Sequence, residues 1–260
     1  MLKILKYSFY DLMRSRWSYV YFLFYLLLGT VLLFLNNDLS KAVITLMNVI
    51  IILVPLIGTI FGVMYYYSSR EFTELLLAQP VKRSSIFLGQ YFGVALSLSM
   101  SLIIGLGLPF VFYGIFKSGA IWDFSLLLIT GTFLTLIFTA LAFIIALANE
   151  NKIKGFGYAI LLWLFMAVIY DGLFLMSLIY FENYPLDKFS LIATMLNPVD
   201  LSRVLILLKL DISALLGYTG AVFQKFFGTN LGLVISTVML ALWVAIPIGI
   251  IYKMVKRKDF

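Results

Sequence analysis

Long apolar runs alternate along this chain with short charged interruptions. The runs at 17–35, 42–67, 86–116, 124–148, 155–181 and 231–252 are each close to or above the roughly 20 residues a helix needs to cross a bilayer. The pattern therefore predicts an all-α integral membrane protein with six transmembrane helices. Gly58 and Gly62 in the second run are spaced for close helix approach in lipid, a spacing that also arises by chance in glycine-rich sequence. Gly105, Gly107 and Pro109 predict a bend or break near the far end of the third run. Residues 1–16 interleave Lys3, Lys6, Arg14 and Arg16 with Leu2, Ile4, Leu5, Phe9, Leu12 and Met13, which predicts a basic amphipathic helix at an anionic lipid surface. The run that follows has no small-residue cleavage site, so it reads as a span rather than a signal peptide.

Between the second and third runs, residues 68–85 form a short polar stretch with both ends marked. Ser68 followed by Glu71 fits a capping box, and Pro80 ends the helix. Phe72, Leu75, Leu76 and Gln79 fall at helical spacing on one mostly apolar face, with Glu71 and Glu74 on another. Such a helix either docks into a soluble partner or lies idle among lipid headgroups.

The connection at 182–230 is the longest, at 49 residues. Its stretch 201–216 is nearly apolar enough to span. Asp200, Arg203, Lys209 and Asp211 would each cost on the order of 2.5–3.5 kcal/mol at mid-bilayer, so the segment is expected to lie flat. Asn197-Pro198 predicts a turn, Asp200 an N-cap, and Leu201, Val204, Leu205 and Leu208 one face of a helix. The piece at 218–227, with Phe223, is aromatic and weakly basic, suited to an interface. The whole segment could be a platform for an outer partner, a lid, or a re-entrant filler. Asp171 is the ionisable residue well inside a span; it either touches a substrate or pairs with Arg203 or Lys209.

Composition removes most other function classes. At 63% hydrophobic and 12% charged residues, with a mean hydropathy of +1.07, the chain is too apolar for a soluble core. It has no cysteine and no histidine, so no thiol or imidazole metal site and no Ser–His or Cys–His pair can form. The ten methionines are scattered and read as gap-filling. No phosphate-binding G-x-x-x-x-G-K-[ST] occurs, so any ATP and magnesium must be bound by another chain; this chain is not read as an enzyme. The net charge of +7 does not call for nucleic acid, because thirteen cations fall in 1–16, 68–85, 149–154 and 253–260, against Lys41 and Lys117 in the short connections of the opposite side. By the positive-inside rule both termini and 68–85 are cytoplasmic and 182–230 lies outside.

The topology, with a cytoplasmic helix between the second and third spans, resembles the type-2 permease subunits of ABC transporters. Glu74-Leu75-Leu76-Leu77-Ala78-Gln79-Pro80 carries the general likeness. Ala146 to Glu150 through Trp163 and Tyr170-Asp171-Gly172, with Asn197-Pro198-Val199-Asp200 through Asp211 to Phe223, resembles more closely the permease of the nitrous-oxide-reductase maturation system. The resemblance implies a type V exporter-like half-transporter in the bacterial inner membrane. It implies a homodimer contacting membrane lipid, two copies of a cytoplasmic ATPase, and a periplasmic copper-handling partner serving the reductase's copper centres in denitrification. It further implies that Arg70, Glu71, Phe72, Glu74, Leu75, Gln79 and Pro80 form the coupling helix, and it points to Asp200, Arg203, Leu205, Leu208, Asp211 and Phe223 as the outer contact. The broader type-2 pattern has Gly-Thr-Leu before the Glu where this chain has Glu71-Phe72-Thr73, which predicts a different first-turn contact. A generic exporter of lipid, drug or polymer, or a passive scaffold, are the competing classes.

Overall fold

The computed structural model describes residues 1–36, 38–181, 187–209 and 230–257, and every regular element among them is helical. Helix α1 is Leu2–Arg14 and α2 is Arg16–Leu35, hinged at Ser15, whose hydroxyl accepts the Ser18 N–H at 3.2 Å. Asp38 caps α3, Leu39–Ser68, and Ser69 alone separates it from α4, Arg70–Leu77. Then come α5, Arg83–Phe112, and α6, Ile121–Ala148. Asn151 caps α7, Lys152–Leu164, which continues through a π-helical turn at Phe165–Ile169 into α8, Tyr170–Tyr180. A bent pair follows, α9, Asp187–Leu196, and α10, Pro198–Lys209, and the last helix, α11, is Asn230–Arg257.

Six of these are long and apolar enough to cross a membrane: α2, α3, α5, α6, the α7–α8 rod, and α11 from Gly232 onward. The described residues fit the all-α, six-span architecture expected from the hydropathy pattern, and the bent pair of α9 and α10 is a further candidate for a broken span or a re-entrant loop. Helices α3, α5 and α6 are central, with 61% of the α5 span buried, whereas only 11% of the α7–α8 span is buried within the chain.

Small residues set the central contacts. Gly58 and Gly62 of α3 both face α6; a Cβ on Gly62 would stand 2.8 Å from the Ala142 Cβ, while one on Gly58 would find the Thr139 hydroxyl at 3.4 Å. Helix α5 continues through Gly105, Gly107 and Pro109 to Phe112, so the third run is broken not at those residues but just beyond them, at Gly114, whose φ is +85°. The physical reason is packing: a Cβ on Gly105 would be 2.8 Å from the Tyr25 Cβ, so this glycine serves the close approach of α2.

The first helix is tied to the bundle rather than resting only on lipid. Positions for Cβ on Gly89 and Gly93 of α5 lie 3.0 Å from Ile4 Cγ2 and 2.5 Å from Ser8 Cβ, so α1 packs into a groove that those glycines leave. Ser8 and Leu12 are buried there.

The bent pair also departs from expectation. Helices α9 and α10 meet at 116°, and α10 does not lie flat on a surface. Val199, Leu201, Val204, Leu205, Ile206 and Leu207 are buried, and the helix packs on α3, α6 and α11. Its buried stretch tolerates burial because Asp200 and Arg203 are paired, as described below.

Replacing Gly62 with Val should lower the unfolding midpoint in detergent by the equivalent of about 1–3 kcal/mol, the usual cost of overpacking. Gly58→Ala should cost clearly less, because its added Cβ meets the Thr139 hydroxyl only at 3.4 Å, an ordinary van der Waals distance. Thermal unfolding of the two variants side by side checks this; equal losses would mean the α3–α6 contact is not set by these glycines.

Candidate functional site

One end of the bundle gathers α1, α4, the start of α5 and the α6–α7 turn. There α4 sits between two spans and is held from three sides. The Thr73 hydroxyl donates to the Ser69 carbonyl at 2.8 Å and accepts from the amide nitrogen of the fully buried Gln90 of α5 at 2.8 Å. Phe72 stacks on Tyr7 of α1, ring centroids 4.6 Å apart. Tyr67, at the end of α3, donates its hydroxyl to the Asn149 carbonyl at 2.7 Å, fastening the α6–α7 turn to the base of α4.

These contacts settle which face of α4 is free, and it is not the apolar stripe expected. Leu76 goes to the core side, Phe72 is half-buried under Tyr7, and Leu75 stays 67% exposed. Arg70, Glu71, Glu74, Leu75, Ala78, Gln79 and Pro80 form the outward surface. Arg70 and Glu74 pair at 3.0 Å, one turn apart and open to solvent. The capping box also fails: Ser68 is the last residue of α3 with its hydroxyl on the Tyr65 carbonyl, and Ser69 caps α4 without a side-chain bond. The α3 ladder claims Ser68 first.

A second polar cluster lies where α10 meets the fifth span. Arg203 donates to Asp171 at 2.7 Å and to Asp200 at 3.3 Å. Asn197 joins the pieces. Its Oδ1 accepts the Val199 N–H at 3.0 Å, so Asn197, not Asp200, caps α10 with Pro198 in the first turn. Its amide nitrogen donates to Asp200 at 2.9 Å and to the Met166 carbonyl at 2.8 Å. That carbonyl is available because, in the π turn, the Tyr170 N–H reaches back five residues to Phe165, leaving Met166 outside the ladder. The Tyr170 hydroxyl donates to the Ala193 carbonyl at 2.6 Å, and the Trp243 indole to the Met195 carbonyl at 3.1 Å.

Asp200 is buried, and burial pushes its carboxyl up to about 6; Asp171 adds to the rise, and the Arg203 guanidinium and the Asn197 amide oppose it. Asp171, Asp200 and Arg203 are thus brought together. Leu205 is 3% exposed, inside the chain's own core. Leu208 lies within α10 with its side chain outside the described residues, as Asp211 and Phe223 are altogether. Among the described residues no three carboxylate, thiol or imidazole side chains come together as a metal site. Sequence reasoning missed Gln90, Tyr7 and the Asn197–Met166 bond. A lone amide in an apolar run is the signal that could have flagged Gln90, because a buried amide needs a partner.

Arg203→Ala should destabilise the protein by about 2–3 kcal/mol, less than the 3–5 typical of a fully buried pair because the site is partly exposed, and it leaves two carboxylates uncompensated. Asn197→Ala should cost about 1–3 kcal/mol through its orphaned partners. Arg70→Ala should cost under about 0.5 kcal/mol, as an exposed pair does. Unfolding in one detergent gives the ranking, and an Arg70 effect matching that of Arg203 would contradict it.

No protein-family profile matches the chain. Two curated relatives are similar to it, both named "Probable ABC transporter permease protein NosY". The one from Stutzerimonas stutzeri is 24% identical over 191 residues, covering 71% of this chain and 67% of the relative. The one from Pseudomonas aeruginosa is 27% identical over 149 residues, covering 54% of this chain and 53% of the relative, so the chain spans between about half and two thirds of their length. With six described helices long and apolar enough to cross a membrane, this chain is a multi-pass membrane protein, and over half or more of its length it is similar to proteins named as NosY permeases.

Proposed function

We propose that the chain is the membrane subunit of an ATP-driven complex in which a separate cytoplasmic ATPase binds the outward face of α4. One observation supports this most: α4 presents Glu71, Glu74 and Leu75 outward while Thr73, Phe72 and Leu76 bind it to α5, α1 and the core. A helix fixed on one face and open on the other suits the transfer of a push. The cations of α1 and the α6–α7 turn share this end, and with those after the last span they support cytoplasmic termini in a bacterial inner membrane. ATP and magnesium belong to the ATPase in this reading.

The printed name of the relatives supports a role beside nitrous oxide reductase maturation, with a periplasmic copper-handling partner at the end where spans five and six are joined. The poorly buried faces of α2, the α7–α8 rod and α11 suit a second copy of the chain and surrounding lipid. Whether a solute crosses or motion alone is passed on, energy enters through α4.

Reversing Glu71 and Glu74 to Lys should reduce recovery of the ATPase subunit in a mild-detergent pulldown by about tenfold, or roughly 1.4 kcal/mol. Membrane insertion and the unfolding midpoint should stay unchanged. Undiminished co-purification would overturn the assignment of α4.

A further inference from the structure

We propose that the hairpin of α9 and α10 is a proton-sensitive latch on the fifth span, seated while Asp200 carries a proton and loosened when Asp200 is ionised. The geometry carries the argument. Arg203 is a single cation facing two carboxylates, and it stands closer to Asp171, at 2.7 Å, than to Asp200, at 3.3 Å. With both acids ionised the cluster holds one excess negative charge at a place where the Asp200 side chain is only 7% exposed. With a proton on Asp200 the cluster is neutral, and Arg203 and Asp171 form a one-to-one pair.

The charges acting on Asp200 are Arg203 from its own helix and Asp171 from the fifth span, where Tyr170 is the neighbouring titratable group. Helices α3, α6, α9 and α11 also pack on α10 or extend from it, and among the described residues they bring no charge to bear. The excess charge is therefore relieved by water or by a proton. Water reaches the cluster when the hairpin lifts off its seat, which consists of the Arg203–Asp171 pair, the bonds of Asn197 to Met166, Tyr170 to Ala193 and Trp243 to Met195, and the buried apolar face of α10. Burial also lifts the Asp200 carboxyl from 3.8 to about 6. A raised carboxyl favours the seated state fully below about pH 4, and that contribution is lost as the pH rises through about 6.

The absence of cysteine makes the test direct, since one introduced thiol reports alone. Val204, 4% exposed on α10, is changed to Cys in the full-length protein in lipid nanodiscs, and its maleimide labelling is followed from pH 5 to pH 7.5. Rates are normalised to Ile153→Cys, a site 82% exposed, to remove the pH dependence of thiol chemistry. The normalised rate should rise by about tenfold with a midpoint near pH 6. In the Asp200→Asn background it should stay low and flat. In the Asp171→Asn background the midpoint should move to more acid pH, because Arg203 then serves Asp200 alone. A flat profile in the parent, or the same rise with Asn at 200, overturns the proposal. No ATPase is present, so failure here is separate from failure of the α4 assignment.

Discussion

Every polar group that enters hydrocarbon must find its partner inside the protein, since no water is there to supply one. That constraint organises much of this bundle, and the buried hydroxyls of Ser97, Thr139 and Ser202 are exceptions without a hydrogen-bond partner among the described residues. The hydroxyls of Thr59, Ser99, Thr132 and Thr135 each donate to the carbonyl four residues earlier on their own helix, so none of these protons is left to the lipid. The Trp163 indole donates across to the Ile52 carbonyl of α3, tying the fifth span to the centre. The same demand, applied to a broken ladder, explains the latch: a π turn withdraws Tyr170 from Met166, and an amide from the next hairpin takes the carbonyl over. Without Asn197 the π turn would leave an unsatisfied acceptor; without the π turn Asn197 would lose its anchor. Each irregularity makes the other tolerable.

How much of this could be read from residues alone depends on range. Six spans follow from run length, because the demand for about 20 apolar residues is a one-dimensional rule. The pairing of Asp171 with Arg203 was open to sequence reasoning as one of two roles, since a charge inside a span must meet an opposite one. The face of α4 was not, because helical spacing groups Phe72, Leu75 and Leu76 without knowing that Tyr7 covers the first and the core receives the last. The expectation that α10 would lie flat failed for a related reason. Insertion costs are tabulated for isolated charges, and Asp200 and Arg203 are not isolated: each meets the other, and Asp171 completes the set. The third run breaks at Gly114 and not at Gly105, because a glycine in lipid serves close approach as readily as interruption.

The two polar clusters sit at different depths, yet they share the same central helices. Through Ser69, α4 is continuous with α3; through Thr73 and Gln90 it is bonded to α5; through Phe72 it carries α1, which lies in the glycine groove of α5. A displacement of α4 is therefore imposed on α3 and α5 together. In a close-packed interior such motion cannot be absorbed by slack, because contacts such as Gly62 on Ala142 already sit at the limit of approach. Helix α10 packs on α3 and α6, so whatever moves that pair also moves the floor beneath Asp200 and Arg203. Coupling of this kind is reciprocal: if the position of α4 alters how firmly the hairpin is seated, the seating of the hairpin must bias the position of α4 by the same free energy. A proton at Asp200 and a partner at α4 would then act on one equilibrium from opposite ends of the bundle.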